Sequence, residues 1–222
     1  MWCIPKLTPE FTERMEDVLD LYAKPYDSRE PVLCFDEKSK ELREDTRRKK
    51  QAKKGRVRRR DYEYKRNGVG NIFLTVEPKG GYRRTRATKR RKRPDFAKEI
   101  CRLVSLARYR AVRKLHIVLD NLNTHTGQSL VETFDRRKAK HLLKHVQFHY
   151  TPKHASWLNM AEIEIGVMTK QAIRGRIGDM KQLRSKLSAW QKRRNKKHAT
   201  ITWTFTTAKA RKKFGYHPKR LS

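Results

Sequence analysis

The sequence predicts an α/β fold, a mixed sheet flanked by helices, and three observations carry that prediction. Two short apolar runs, Pro31 to Asp36 and Leu115 to Asp120, each end in an acid, as a buried strand does when its mouth presents a polar side chain. Between them lies a stretch rich in β-branched and aromatic residues punctuated by Asn67-Gly68 and Gly80-Gly81, which reads as an antiparallel meander. After them, segments with apolar residues at helical spacing alternate with further strand-like runs, the order expected of a layered α/β domain.

Taken in order, residues 1–30 carry no complete domain and read as an N-terminal linker segment. The first strand occupies Pro31 to Asp36. Tyr62 to Lys65, Asn71 to Val76 and Tyr82 to Thr88 form the meander, with Asn67-Gly68 as its first turn. Pro94 stands at a first helical turn, and Phe96, Ile100, Leu103, Val104 and Ala107 follow on one face, predicting a helix to about Arg110. Leu115 to Leu119 is the next strand, Leu130 to Leu143 a helix and Val146 to Tyr150 a strand. Trp157 to Ala172 is a helix with Trp157, Ala161, Ile165, Met168 and Ala172 facing the core. A basic helix over 179–195 and a strand-like piece, Ile201 to Phe205, lie in a basic tail. The expected division is a linker at 1–30, a domain at 31–175 and a basic helix and tail at 176–222.

Charge narrows the function. Lys and Arg number 57 against 23 Asp and Glu, so the net charge is +34, and self-repulsion of that size calls for a polyanion, nucleic acid first. The basic residues are concentrated between Arg43 and Arg60, where Arg47, Arg48, Lys49, Lys50, Lys53, Lys54, Arg56, Arg58, Arg59 and Arg60 are expected to face phosphates, and in a second run from Arg83 to Arg93. No run approaches a membrane span and no apolar leader opens the chain, which argues against a membrane partner. Three cysteines, Cys3, Cys34 and Cys101, stand far apart, so neither a disulfide framework nor a zinc knuckle is indicated and a reducing, cytoplasmic setting is expected. No phosphate-binding GxxxxGK[ST] run occurs, so no nucleotide cofactor is expected.

Three islands lack Lys and Arg altogether: Glu30 to Glu37, Leu115 to Asp135 and His154 to Thr169. Each contains acids. An ammonium beside paired carboxylates would neutralise them and compete with a divalent cation, so a metal site set in a DNA-binding surface needs its basic residues kept back. Asp36, Asp120 and one of Glu162 or Glu164 supply the hard oxygen ligands that phosphoryl transfer requires. His141 and His145 have ligand spacing at i and i+4 but no accompanying Glu or Cys pair, which leaves a zinc site there poorly supported.

The residues around these acids resemble a known family. Val32 to Ser39, Ile117 to His125 and Tyr150 to Glu162, with Asp61 to Gly68 and Pro94 to Phe96, are similar to the DDE transposases of bacterial insertion sequences, in the branch related to mariner elements. The resemblance runs from about Trp2 to Ala172. It implies an RNase H-like fold with a five-stranded mixed sheet, and a catalytic domain without the N-terminal helix-turn-helix part. It also implies Mg²⁺, or Mn²⁺ in its place, held by Asp36, Asp120 and Glu162 as catalytic carboxylates. Glu164 is the spare, because side chains two apart on a helix point about 200° apart and only one can face the site. Asn159, three residues before Glu162, shares its face.

Asn121 and His125 are expected either to orient Asp120 or touch phosphate, or else to form a satisfied turn in which Asn121 caps the following segment; His154 is a candidate DNA contact. Glu37, on the other side of the strand from Asp36, reads as structural, and Trp157 as core. The expected partners are double-stranded DNA, at element ends and target, and a second copy of the chain as a homodimer on DNA; the expected location is the nucleoid of a bacterial cytoplasm. The competing readings are a non-catalytic basic nucleic-acid-binding protein and an RNase H-like nuclease or resolvase.

Overall fold

The computed structural model describes residues 7–47, 54–55 and 62–216. Of the basic residues assigned above to DNA, Arg48, Lys49, Lys50, Lys53, Arg56, Arg58, Arg59 and Arg60 lie outside the described residues.

The first element differs from expectation. Instead of a linker, Pro9–Ala23 forms helix α1, started by the Thr8 hydroxyl accepting from the Phe11 amide at 3.2 Å and by Pro9 in the first turn. Phe11, Met15, Val18, Leu19 and Tyr22 are buried, a 3.6-residue stripe that packs into the core. Strand β1 then runs far beyond Asp36, over Val32–Asp45, and pairs antiparallel with β2, Tyr64–Glu77, which pairs antiparallel with β3, Tyr82–Thr88. Asn67-Gly68 is therefore a bulge within one continuous strand. The register slips between Glu41 opposite Val69 and Arg43 opposite Arg66, so β2 carries an extra residue there, and Gly68 takes φ +89°, open to glycine without a Cβ clash.

Helix α2, Arg93–Val104, leads to β4, Leu115–Leu119, parallel to β1. The expected single helix after it is broken into α3, Gly127–Thr133, and α4, Arg136–His145; Asp135 caps the second by accepting from the Lys138 amide at 2.9 Å. Strand β5, Val146–Tyr150, runs parallel to β4, and α5, Met160–Gln171, follows a short 3₁₀ turn at Ser156–Leu158. Helix α6, Met180–Lys196, and helix α7, Thr207–Phe214, end the described chain. Ile201 to Phe205 is irregular chain rather than a strand, tied by the Ile201 amide to the Pro78 carbonyl at 2.9 Å.

The sheet order is β3-β2-β1-β4-β5, three antiparallel strands continued by two parallel ones, the RNase H-like arrangement expected from the resemblance. Alternation along β1 sorts the core into two layers. Leu33 and Phe35 face α2, α3 and α4 together with Phe73, Phe96, Ile100 and Leu130, while Cys34 faces α1, α5 and α6 together with Leu74, Met15, Met168 and Trp190. Asp36 therefore emerges on the α5 side and Glu37 on the α2 side. Asn195, Gln191 and Arg184 of α6 bond backbone groups of Arg83, Thr85 and Ala87 along the outer edge of β3, covering what would be an open sheet edge.

Candidate active site

Three elements carry the three carboxylates: Asp36 lies within β1, Asp120 at the residue after β4, and Glu162 in the first turn of α5. Their exposures differ. Asp36 is 9% exposed, the Asp120 side chain is 30% exposed, and Glu162 is open to solvent. Burial, opposed by a hydrogen bond from the Glu37 amide to Asp36 Oδ1 at 2.7 Å and reinforced by the charges of Glu162 and Asp120, pushes the Asp36 carboxyl up to about 7. Glu162 and Asp120 thus both act electrostatically on Asp36. Among the described residues, no three His, Cys, Asp or Glu side chains are already drawn to metal-coordination distance. The donor set nonetheless suits a hard divalent cation: oxygen ligands only, one of them buried with its charge undercompensated.

His125 ties this site to the opposite face of the sheet. Its Nδ1 lies 2.5 Å from Asp120 Oδ1 and its Nε2 3.0 Å from Glu37 Oε1, with the ring fully buried between Phe35 and Phe96. Burial pulls the imidazole pKa down, but the hydrogen bonds and charges of Asp120 and Glu37 outweigh it and raise it to about 9. As an imidazolium it donates from both nitrogens. The Tyr150 hydroxyl donates to the His125 carbonyl at 2.9 Å and fixes the loop that carries the ring. His125 thus contacts Asp120 directly, whereas Asn121 is exposed and lines a pocket with Arg14, Lys153 and His154. His154 is exposed and holds a left-handed φ of 63°.

Asn159 sits at the hinge between strand and helix. Its Oδ1 accepts from the Ala161 amide at 3.1 Å, capping α5, and its Nδ2 donates to the Phe35 carbonyl at 2.8 Å, so the helix of Glu162 is pinned beside Asp36. The Tyr22 hydroxyl reinforces that junction by donating to the Leu158 carbonyl at 2.9 Å.

Glu164 is placed away from this site. It is 1% exposed and clamped by Arg194 at 2.7 and 3.0 Å and by Arg83 at 3.0 Å. Burial opposes its ionisation, yet the hydrogen bonds from Arg194 and Arg83 prevail and keep its carboxyl below the ordinary value. The two-residue offset separates the acids as helical geometry requires. Sequence reasoning missed Tyr22, Arg83 and Arg194, whose partners are all distant in the chain, and it gave Glu37 no part in the site. His141 and His145 form no chelate with each other: His145 Nδ1 donates to the His141 carbonyl at 2.8 Å. Trp157 packs against the core and edge-on to Phe205 at 5.7 Å.

Residues 31–184 match the family model of the DDE superfamily endonucleases. No curated protein matches the chain in sequence. Solved structures share the fold: the Mos1 mariner paired-end complex with Mn, at 14% identity and a TM-score of 0.58, covers 90% of this chain and 60% of the Mos1 chain. The Mos1 transposase paired-end complex with left transposon end matches at 15% identity and 0.54, covering 90% and 62%, and the Mos1 strand transfer complex at 14% and 0.54, covering 90% and 61%. The chain thus spans about three fifths of the length of these Mos1 chains.

Proposed function

The chain belongs to the DDE superfamily endonucleases, and from that premise we propose that it is the catalytic part of a transposase, cutting DNA at element ends and joining the freed 3′ hydroxyl to target DNA. The observation that supports this reading is that Asp120, from the parallel neighbour of the Asp36 strand, and Glu162, from a helix start, both bring their charge to bear on Asp36.

Asp36, Asp120 and Glu162 would hold Mg²⁺, or Mn²⁺ in its place. When bound, such ions supply positive charge against the reacting phosphodiester and ease deprotonation of the attacking water or hydroxyl. The chain's own part is positional. His125, held from behind by Glu37, fixes the rotamer of Asp120 and leaves its second oxygen for the site. Asn159 fixes the start of α5 and so the depth at which Glu162 stands relative to Asp36. Glu162, being exposed, is free to swing toward a cation as DNA arrives. The Lys- and Arg-rich segments of the chain would bind phosphates and hold the duplex against the carboxylates. A homodimer on DNA would bring two such sites to paired ends.

The test is nicking of supercoiled plasmid by the purified chain with Mg²⁺ or Mn²⁺, followed by strand transfer with candidate element-end duplexes. Metal-dependent nicking that disappears in Asp36→Asn, Asp120→Asn and Glu162→Gln, while DNA retention persists, is the expected result. DNA binding without nicking by the wild type would sink the catalytic reading, and nicking without strand transfer would make the protein a nuclease.

A further inference from the structure

A second concentration of charge lies where α6 covers the edge of β3, two strands away from Asp36. Glu99 of α2 is 1% exposed and draws three guanidiniums: Arg84 Nε at 3.0 Å, Arg86 Nε at 3.5 Å and Arg102 Nη1 at 3.6 Å. Arg184 of α6 reaches the same edge, donating from Nε to the Ala87 carbonyl at 3.4 Å. One carboxylate cannot neutralise four guanidiniums. The mismatch shows in detail, since Arg86 Nε and Glu99 Oε2 are both buried without a hydrogen-bond partner although they face each other. Burial first, then repulsion from Arg102, with Arg84 and Arg184 adding to it, lowers the pKa of Arg86, and Glu99 offsets this only in part.

Next to Arg86 a cleft of about 480 Å³ opens between β3 and α6, lined by Arg86, Arg184, Thr85, Ser188 and Gln191. The Thr85 amide and hydroxyl are engaged by Gln191 Oε1 and Arg184 Nε by the Ala87 carbonyl, so the guanidinium Nη groups of Arg86 and Arg184 are the charged donors left for an anion. The breadth of the cleft suits an open diester backbone better than a small enclosed ion. The strand register sets its distance from the carboxylates: Thr85 pairs with Leu74 and Leu74 with Asp36, so the cleft lies two strand spacings away, roughly 10 Å along the sheet. At about 3.4 Å per nucleotide, that is a reach of roughly three nucleotides.

We propose that the β3–α6 cleft is a DNA phosphate-binding site in which Arg86 and Arg184 share one backbone phosphate of the duplex whose scissile bond lies over Asp36. The proposal rests on the DNA-cleaving reading above. It adds a fixed anchor, built on the rigid sheet edge, to the basic segment at 43–60.

The experiment compares the salt dependence of duplex DNA binding, without divalent metal, for wild type, Arg86→Gln, Arg184→Gln and the double variant, with melting temperature measured alongside. Each single variant should flatten the log-log slope by about 0.9, the value for one neutralised phosphate, and the double variant by little more, because the two share a contact. Arg102→Gln, which pairs with Glu99 and does not line the cleft, should leave the slope unchanged. Unchanged slopes in both single variants, with only the melting temperature lowered, would overturn the proposal and make the arginines neutralisers of Glu99. Should Arg86→Gln fail to fold, Arg184→Gln, on the exposed face of α6, decides alone. Inorganic phosphate provides a further arm: protection of the wild type but not of the double variant, with DNA slopes unchanged, would mean a free-anion site and overturn the DNA assignment. Plasmid nicking separates the two readings, since its absence alongside altered slopes would remove the catalytic proposal and leave this one standing.

Discussion

Asn159 Nδ2 donates to the Phe35 carbonyl at 2.8 Å, joining the cap of the helix that bears Glu162 to the strand residue immediately before Asp36. The same side chain caps the helix, so one residue sets both the start of α5 and its seat against β1. Asn159→Ala should cost about 2–3 kcal/mol of stability, from a lost cap and a buried carbonyl left unpaired. Asn159→Asp keeps the cap and loses the donor, so it should recover part of the melting temperature without recovering cleavage. Full activity in Asn159→Ala would show that the junction does not position Glu162.

Glu162 and Glu164 should separate by readout. Glu164→Gln leaves Arg83, fully buried, and Arg194 facing a neutral partner, and breaking a buried ion network of this kind costs about 3–5 kcal/mol. Its signature is a large fall in the chemical denaturation midpoint. Glu162→Gln, on an exposed position, should leave the unfolding free energy within about 0.5 kcal/mol of wild type and abolish cleavage. The reverse pattern would exchange the roles of the two glutamates.

Metal binding should depend on pH through Asp36. Its carboxyl is raised from the ordinary 3.8 to about 7, so between those values the folded protein holds a proton that the unfolded chain has released. Metal-free stability should therefore fall as pH climbs through that window, and a divalent cation must displace the proton to bind. Saturating Mn²⁺ should raise the melting temperature more at pH 8 than at pH 5.5, and Asp36→Asn should remove that difference. An equal shift at both pH values would contradict it.

Acid should act at a different place. The Asp17 carboxylate of α1 is held below its ordinary value of 3.8, chiefly by the hydrogen bond from His149 Nδ1 at 2.7 Å, against the opposing effect of burial. A depressed carboxylate contributes stability that is present above 3.8 and lost as pH falls below it. The melting-temperature gap between wild type and Asp17→Asn should be steady near pH 5 and close below about pH 3.8. A gap that persisted to pH 2.5 would show that the His149 contact acts through packing rather than charge.

The legible parts of this molecule were those written in local patterns. The apolar run ending at Asp120 gave a strand and its acidic mouth, the run ending at Asp36 gave only the buried first part of a strand that continues to Asp45, and helical spacing gave the offset of Glu162 from Glu164. Asn67-Gly68 misled because its positive φ serves a bulge as readily as a hairpin turn, and only the partner strand decides between them. Helix α1 was marked by Thr8, Pro9 and the stripe Phe11, Met15, Val18, Leu19 and Tyr22, a signal present but unread. The clamp on Glu164 and the link from Asp120 through His125 to Glu37 join residues 30 to 88 positions apart or bring three elements together, and no local pattern encodes such meetings.

The most direct test of the central claim is a metal-specificity switch at Asp120. If its carboxylate contacts the cation, Asp120→Cys should bind plasmid DNA but fail to nick it with Mg²⁺, because a thiolate is a poor ligand for that hard ion, and should regain nicking with the softer Mn²⁺. Equal activity of the variant with both metals, or no recovery with Mn²⁺ while DNA binding and folding remain intact, would contradict a metal-dependent site built on Asp36, Asp120 and Glu162.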